Sequence, residues 1–103
     1  KIKPSFFTID AMKYIVDLGV QHLLVDMPSV DRLFDEGILS AHNIFWETKD
    51  KKFNIKSSKK TITEMIFVSD KIKDGKYLLN LQFAPFMADA SPSRPILYKI
   101  NEL

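Results

Sequence analysis

Residues 8–26 read TIDAMKYIVDLGVQHLLVD and contain a helix signal, a glycine and a strand signal in succession. Thr8 is a favourable N-cap residue, and Gly19 suits the left-handed position just beyond a helix C-terminus. The apolar run after the glycine ends at Asp26. A helix, a glycine and a continuous apolar strand in this order are typical of an α/β fold with a buried strand. We therefore predict an α/β protein with a first helix within residues 4–19.

Two helix candidates carry apolar residues at helical spacing. The expected buried stripe of the first helix is Ala11, Ile15 and Leu18. The second helix is expected over residues 38–47. Its expected apolar face comprises Ile38, Ala41, His42 and Phe45. An imidazole is thus predicted to lie on the core-facing side of a helix.

The remaining residues predict a surface loop and strands. Residues 48–60 contain six lysines and one acidic residue, a pattern typical of an exposed loop. Alternation over 61–68 predicts a strand. The turn at residues 74–75 predicts a hairpin leading into a strand over 76–83. With a last strand over 96–100, the sequence predicts a mixed β-sheet accompanied by two or three short helices.

Composition limits the class of protein. The 103 residues suffice for one domain, and 46% hydrophobic and 27% charged residues are typical of globular chains. A net charge of +2 gives no reason to expect a nucleic-acid partner. No apolar run approaches the roughly 20 residues of a membrane helix. The chain has no cysteine, which excludes a disulfide framework and a Cys nucleophile and fits a reducing compartment.

Glu64 is the first candidate for chemistry. On the predicted strand it shares a face with Ile62 and Ile66. A carboxylate there is costly to bury unless a cation or a hydrogen-bond donor meets it. The residues alone leave three interpretations open: this face is exposed, Arg94 pairs with Glu64, or Glu64 belongs to a site.

His42 is the second candidate, because imidazole and carboxylate are two of the ligand types that divalent metals use. On the residues alone His42 can also be a satisfied core residue, and two ligands do not complete a metal site. Asp26, Ser29 and Asp31 cluster at the end of the first strand, where α/β proteins usually place their sites. The same three residues also suit a turn and a helix cap.

Five short motifs follow one another between residues 4 and 100. They are Leu18-Gly19-Val20, the strand ending in Asp26 with Pro28-Ser29-Val30-Asp31, Ala41-His42, the strand with Glu64, and Asp89-Ala90-Ser91-Pro92-Ser93-Arg94. Their order resembles the C-terminal half of the metal-dependent cyclase family, which includes bacterial kynurenine formamidases and isatin hydrolases. The resemblance implies part of a swivelling β/β/α fold. Residues 1–103 are then one domain or the C-terminal part of a larger cyclase-like domain, and the lack of an initiating Met fits a piece of a longer protein.

The resemblance also implies a divalent metal, zinc or manganese. His42 and Glu64 match two family ligands, and further ligands are expected upstream of residue 1, because the family motif His-x-Gly-Thr-His-x-Asp is absent here. The Lys-rich stretch lengthens the separation between His42 and Glu64, so Glu47 is the alternative carboxylate. The expected pocket residues are Asp26, Ser29, Asp31 and Arg94.

The implied function is hydrolysis of a C–N bond in a formamide, amide or lactam, with a metal-bound water as nucleophile. The 103-residue chain alone is expected to be inactive, with no catalytic residue of its own, because the other ligands lie outside it. We expect a cytoplasmic homo-oligomer that acts on a small molecule and binds neither nucleic acid nor membrane. The alternative is a non-enzymatic α/β binding or assembly module on the same scaffold.

Overall fold

A computed structural model of the protein describes residues 3–48, 52 and 54–101. The chain divides into two units, Lys1–Phe67 and Val68–Leu103. The first unit contains α1 (Ile9–Asp17), β1 (His22–Leu24), α2 (Ser40–Trp46), a 3-10 turn (Ile55–Ser57) and β2 (Thr61–Thr63). The second unit contains β3 (Tyr77–Asn80) and β4 (Ile96–Lys99). The predicted α/β class is confirmed.

Helix α1 has the caps that the sequence predicts. The Thr8 side chain accepts a hydrogen bond from the Ala11 backbone N–H at 3.1 Å, which satisfies one of the free donors of the first turn. Gly19 has a φ of 77° just beyond the helix, a conformation that glycine adopts at little cost. The buried residue of α1 is Met12, whereas Leu18 is exposed, so the predicted stripe is wrong at its last position.

Strands β1 and β2 pair in parallel, with His22 opposite Thr61 and Leu24 opposite Thr63. Helix α2 lies between them in the chain, as a parallel pair requires a crossover connection. β2 is shorter than the predicted strand over 61–68, since it ends at Thr63. Met65 has a φ of 58°, which breaks the alternation expected for an extended strand.

Strands β3 and β4 form an antiparallel pair in the second unit, from Tyr77 opposite Lys99 to Asn80 opposite Ile96. The hairpin predicted at residues 74–75 is therefore wrong, because β3 pairs with the last strand and not with the preceding one. In the described part of the chain, two separate two-stranded sheets replace the predicted mixed sheet.

The hydrophobic core belongs to the first unit. Its buried members are Met12, Val25, Val30, Ala41 and Phe45. Half-buried apolar side chains from α1, β1, α2 and β2 pack around them. A fully buried Met, Val or Phe side chain contributes about 1.5–3 kcal/mol. Among the described residues, neither helix is long and apolar enough to cross a membrane.

The Lys-rich stretch is less exposed than predicted where the structure describes it. Ser57 is buried, and its hydroxyl donates to the Trp46 backbone carbonyl. The Lys60 ammonium donates to the Phe45 carbonyl at 2.9 Å and lies 4.9 Å from the Phe45 ring centroid. This segment therefore covers the C-terminal end of α2. Residues 49–51 and 53 of the predicted loop lie outside the described residues.

Candidate functional site

Asp31 is the anchor of the candidate site, and it follows the buried Val30 after β1. Its side chain is only 7% exposed. One carboxylate oxygen accepts from the Ala41 N–H at 2.7 Å, and the other accepts from the His42 N–H at 3.2 Å. Leu39, the residue before α2, has a φ of 51° and provides no side-chain cap. Asp31 therefore caps α2 from a distant position in the chain.

The His42 ring lies between two carboxylates. Its Nδ1 is 2.6 Å from an Asp31 oxygen, and its Nε2 is 3.3 Å from the Glu64 Oε1. The imidazole is 14% exposed, and the Trp46 ring lies beside it with centroids 5.3 Å apart. The predicted position of His42 on the core-facing side of α2 is confirmed, since it lies between the buried Ala41 and Phe45.

Glu64 reaches His42 because the chain leaves β2 immediately before it. Its Oε1 also accepts from the Val30 backbone N–H at 2.9 Å. The next residue, Met65, has a φ of 58° and donates its N–H to the Met27 carbonyl at 3.0 Å. For an L-residue with a side chain this left-handed conformation costs about 1–2 kcal/mol. Backbone strain next to a polar cluster is often found at functional sites.

Two carboxylates face the two ring nitrogens of His42. Burial raises the pKa of Asp31, but the hydrogen bonds from the His42 ring and from the Ala41 and His42 N–H groups outweigh burial and lower this pKa overall. Asp31 is therefore ionised at neutral pH and accepts a hydrogen bond from the Nδ1–H of His42. A neutral imidazole then presents an Nε2 lone pair to a Glu64 oxygen, and two lone pairs at 3.3 Å repel. A proton or a metal ion between them removes this repulsion.

The donor atoms fit two positions of a metal site. Imidazole nitrogen and carboxylate oxygen both bind zinc at about 2.0–2.2 Å. In a tetrahedral site these bond lengths separate two ligand atoms by roughly 3.3–3.6 Å. The distance between His42 Nε2 and Glu64 Oε1 is 3.3 Å. Within residues 3–48, 52 and 54–101, no group of three or more His, Cys, Asp or Glu side chains could hold a metal ion. The described residues thus bring two candidate ligand atoms together and do not complete a metal site.

The other predicted residues divide into two groups. Ser29 joins the cluster, because its hydroxyl accepts from the Asp31 N–H at 3.2 Å. Glu47, the alternative carboxylate, lies 3.7 Å from the Lys60 ammonium instead. Asp26 is exposed and, in the described part of the chain, makes no hydrogen bond to this cluster. Arg94 lies in the second unit, where it lines a cavity of about 340 Å³. Glu64 finds its partners within the first unit.

Asp31 also lines a second cavity of about 250 Å³ in the first unit. Apolar side chains of Phe6, Phe7 and Ile38 form part of its wall. The direct bond of Asp31 to His42 was not predicted. The signal for that bond is the half-buried imidazole, since a ring N–H away from water needs an acceptor.

A comparison of the chain with protein-family models, curated proteins and solved structures found no match.

Proposed function

We propose that this chain contributes His42 and Glu64 to a divalent-metal site of a hydrolase that cleaves the C–N bond of a formamide, amide or lactam. The observation that carries the proposal is the 3.3 Å separation of His42 Nε2 and Glu64 Oε1. Charge-assisted N–H···O bonds are shorter, at about 2.7–2.9 Å. The observed separation therefore suits two ligands of one ion better than a direct ion pair.

The side chains are also arranged as metal ligands usually are. A ligating histidine commonly donates its second ring N–H to a carboxylate, and Asp31 accepts from Nδ1 of His42. Glu64 is oriented in turn by the Val30 N–H. Zinc and manganese both accept this donor set. Catalytic zinc sites use three protein ligands and an open position, so the remaining ligands would come from outside the described residues.

A bound metal ion would polarise the substrate carbonyl and lower the pKa of a coordinated water to about 7. The residues of this chain would hold the ion and orient its ligands. Asp31 fixes the orientation of the His42 ring, and the Val30 backbone N–H fixes the Glu64 carboxylate. The C–N substrate class rests on the resemblance of the motif order to the cyclase family. The same resemblance supports a small-molecule substrate, a homo-oligomer and a cytoplasmic location. The 103-residue chain is proposed to be inactive alone.

The test is the zinc and manganese content of the intact gene product and of three variants. We expect about one metal per protein in the wild type and a loss of most of it in His42→Ala and Glu64→Gln. Glu47→Gln is the matched control, because Glu47 pairs with Lys60 and should leave the metal content unchanged. A metal-free wild type, prepared with both ions present, would contradict the proposal.

A non-enzymatic α/β binding or assembly module is the second candidate. The observation that favours it is the exposure of large apolar side chains in the second unit, among them Phe83, Phe86 and Met87. Exposed apolar side chains of this size often mark surfaces for other proteins. The same metal measurement separates the two candidates, since a module of this kind needs no ion at His42.

A further inference from the structure

We infer that Asp31 is a positioning residue, which holds His42 in the tautomer with its proton on Nδ1 and directs the Nε2 lone pair toward Glu64. This inference deepens the proposed function and rests on it for the role of the Nε2 lone pair. The sequence places Asp31 only among turn, cap or pocket residues.

The position of the proton follows from the acceptors. Both Asp31 oxygens already accept from backbone N–H groups, at 2.7 Å from Ala41 and at 3.2 Å from His42. An ionised carboxylate has only lone pairs to offer. The 2.6 Å contact between its Oδ2 and the His42 Nδ1 therefore contains the ring proton. The neutral ring has one N–H, so its Nε2 is left as an electron-pair donor.

Asp31 can fix the ring because Asp31 is itself fixed. Its carboxylate is bound to two N–H groups of the first turn of α2, the helix that carries His42. The preceding residue, Val30, is fully buried in the core, and its carbonyl accepts from the Phe7 N–H at 3.0 Å. The Asp31 carboxylate and the His42 ring therefore keep a fixed position relative to each other.

The same short segment also orients the other ligand. The Val30 N–H donates to the Glu64 Oε1, and the adjacent Asp31 binds the His42 ring. Val30 and Asp31 therefore orient the two side chains whose Nε2 and Oε1 atoms lie 3.3 Å apart. A turn that served only to cap α2 would not need to hold Glu64 as well.

The tautomer is measured directly by long-range ¹H–¹⁵N NMR of the intact, metal-free protein at a pH where the imidazole is neutral. We expect the His42 Nδ1 to have the shift of a protonated nitrogen and Nε2 that of an unprotonated one. Asp31→Asn keeps the shape of the side chain but replaces one carboxylate oxygen by an NH₂ group. In either orientation of the amide, this NH₂ group faces a backbone N–H of Ala41 or His42. We expect the population of the Nε2–H tautomer to rise. Zinc affinity should fall by about 10–100-fold, the usual effect of losing such a partner.

Asp35→Asn is the matched control, because Asp35 caps the Gly37 and Leu39 N–H groups in the same loop and does not bind the His42 ring. It should change neither the tautomer nor the zinc affinity. The inference is overturned if wild-type His42 has its proton on Nε2, a result that needs no variant. It is also overturned if Asp31→Asn folds and leaves both measurements unchanged. If the tautomer behaves as expected but no protein binds zinc, the positioning role is supported and the metal-dependent hydrolase is overturned.

Discussion

The two units of the chain use their apolar side chains differently. In the first unit, five of them form a closed core, and the cluster of Asp31, His42 and Glu64 lies on it. In the second unit, residues 68–101 include no buried residue, and the apolar side chains of β3 and β4 are largely exposed.

This difference indicates where precise chemistry can occur. A polar site keeps its geometry only when the elements that carry it are fixed by packing. Val30 shows the connection, because its side chain is fully buried and its N–H binds Glu64. An isolated pair of antiparallel strands is marginally stable. We therefore expect ligand binding in the first unit and lower local stability in the second.

The largest effect is expected from Phe45→Ala, which removes a fully buried ring from the first unit. Such changes cost about 3–5 kcal/mol because a cavity remains. The matched variant Phe86→Ala removes an exposed ring from the second unit and should change stability by no more than about 0.5 kcal/mol. Urea unfolding followed by circular dichroism measures both. Equal losses would remove the distinction between the units.

A smaller effect is expected from Asp31→Asn. In this variant the side-chain NH₂ group faces a backbone N–H that Asp31 accepts from in the wild type. A buried donor left without an acceptor costs about 1–3 kcal/mol. The free energy of unfolding at pH 7 measures this cost. A change as small as that of an exposed residue would mean that the Asp31 hydrogen bonds do not hold the first unit together.

The stability advantage of wild type over Asp31→Asn should depend on pH. The pKa of Asp31 is lower in the folded protein than its ordinary value of 3.8. As the pH falls below this value, the unfolded state binds the proton first, and the free energy of unfolding decreases. The advantage should therefore be complete at neutral pH and disappear as the pH falls through the folded-state pKa. Urea unfolding of both proteins across the acidic range checks the sign, and an advantage that grows in acid would contradict it.

The smallest effect is a gain in the free energy of unfolding, which we expect from Met65→Gly. Relief of the left-handed backbone gives about 1–2 kcal/mol, and the flexibility of glycine takes back about 0.5–1 kcal/mol. The net expectation is a stabilisation between zero and about 1.5 kcal/mol. Phe67→Gly, at an exposed position without positive φ, should instead destabilise slightly. Thermal unfolding compares the two, and a loss in Met65→Gly would show that its conformation is not strained.

Local signals were sufficient for part of the fold. The Thr8 cap, the glycine at position 19 and the helix around His42 all depend on neighbours within a few residues. The separate sheets depend on pairing between distant residues, which turn signals do not specify. The end of β2 at Thr63 also depends on distant contacts, since the Met65 and Ile66 N–H groups bind carbonyls near β1.

The residue types of the candidate site could be predicted from the sequence, but the hydrogen bonds between its side chains could not. His42 and Glu64 were recognisable as an imidazole and a carboxylate in apolar surroundings, and the structure brings them together. The role of Asp31 depends on a contact across 11 residues of irregular chain. No periodic pattern encodes such a contact, so the sequence placed Asp31 only near the site.

The most direct test of the account is anomalous diffraction at the zinc edge from zinc-loaded crystals of the intact protein. We expect one strong peak about 2.0–2.2 Å from both His42 Nε2 and Glu64 Oε1. The account is contradicted if no peak lies there and these two atoms form a direct hydrogen bond of about 2.7–2.9 Å.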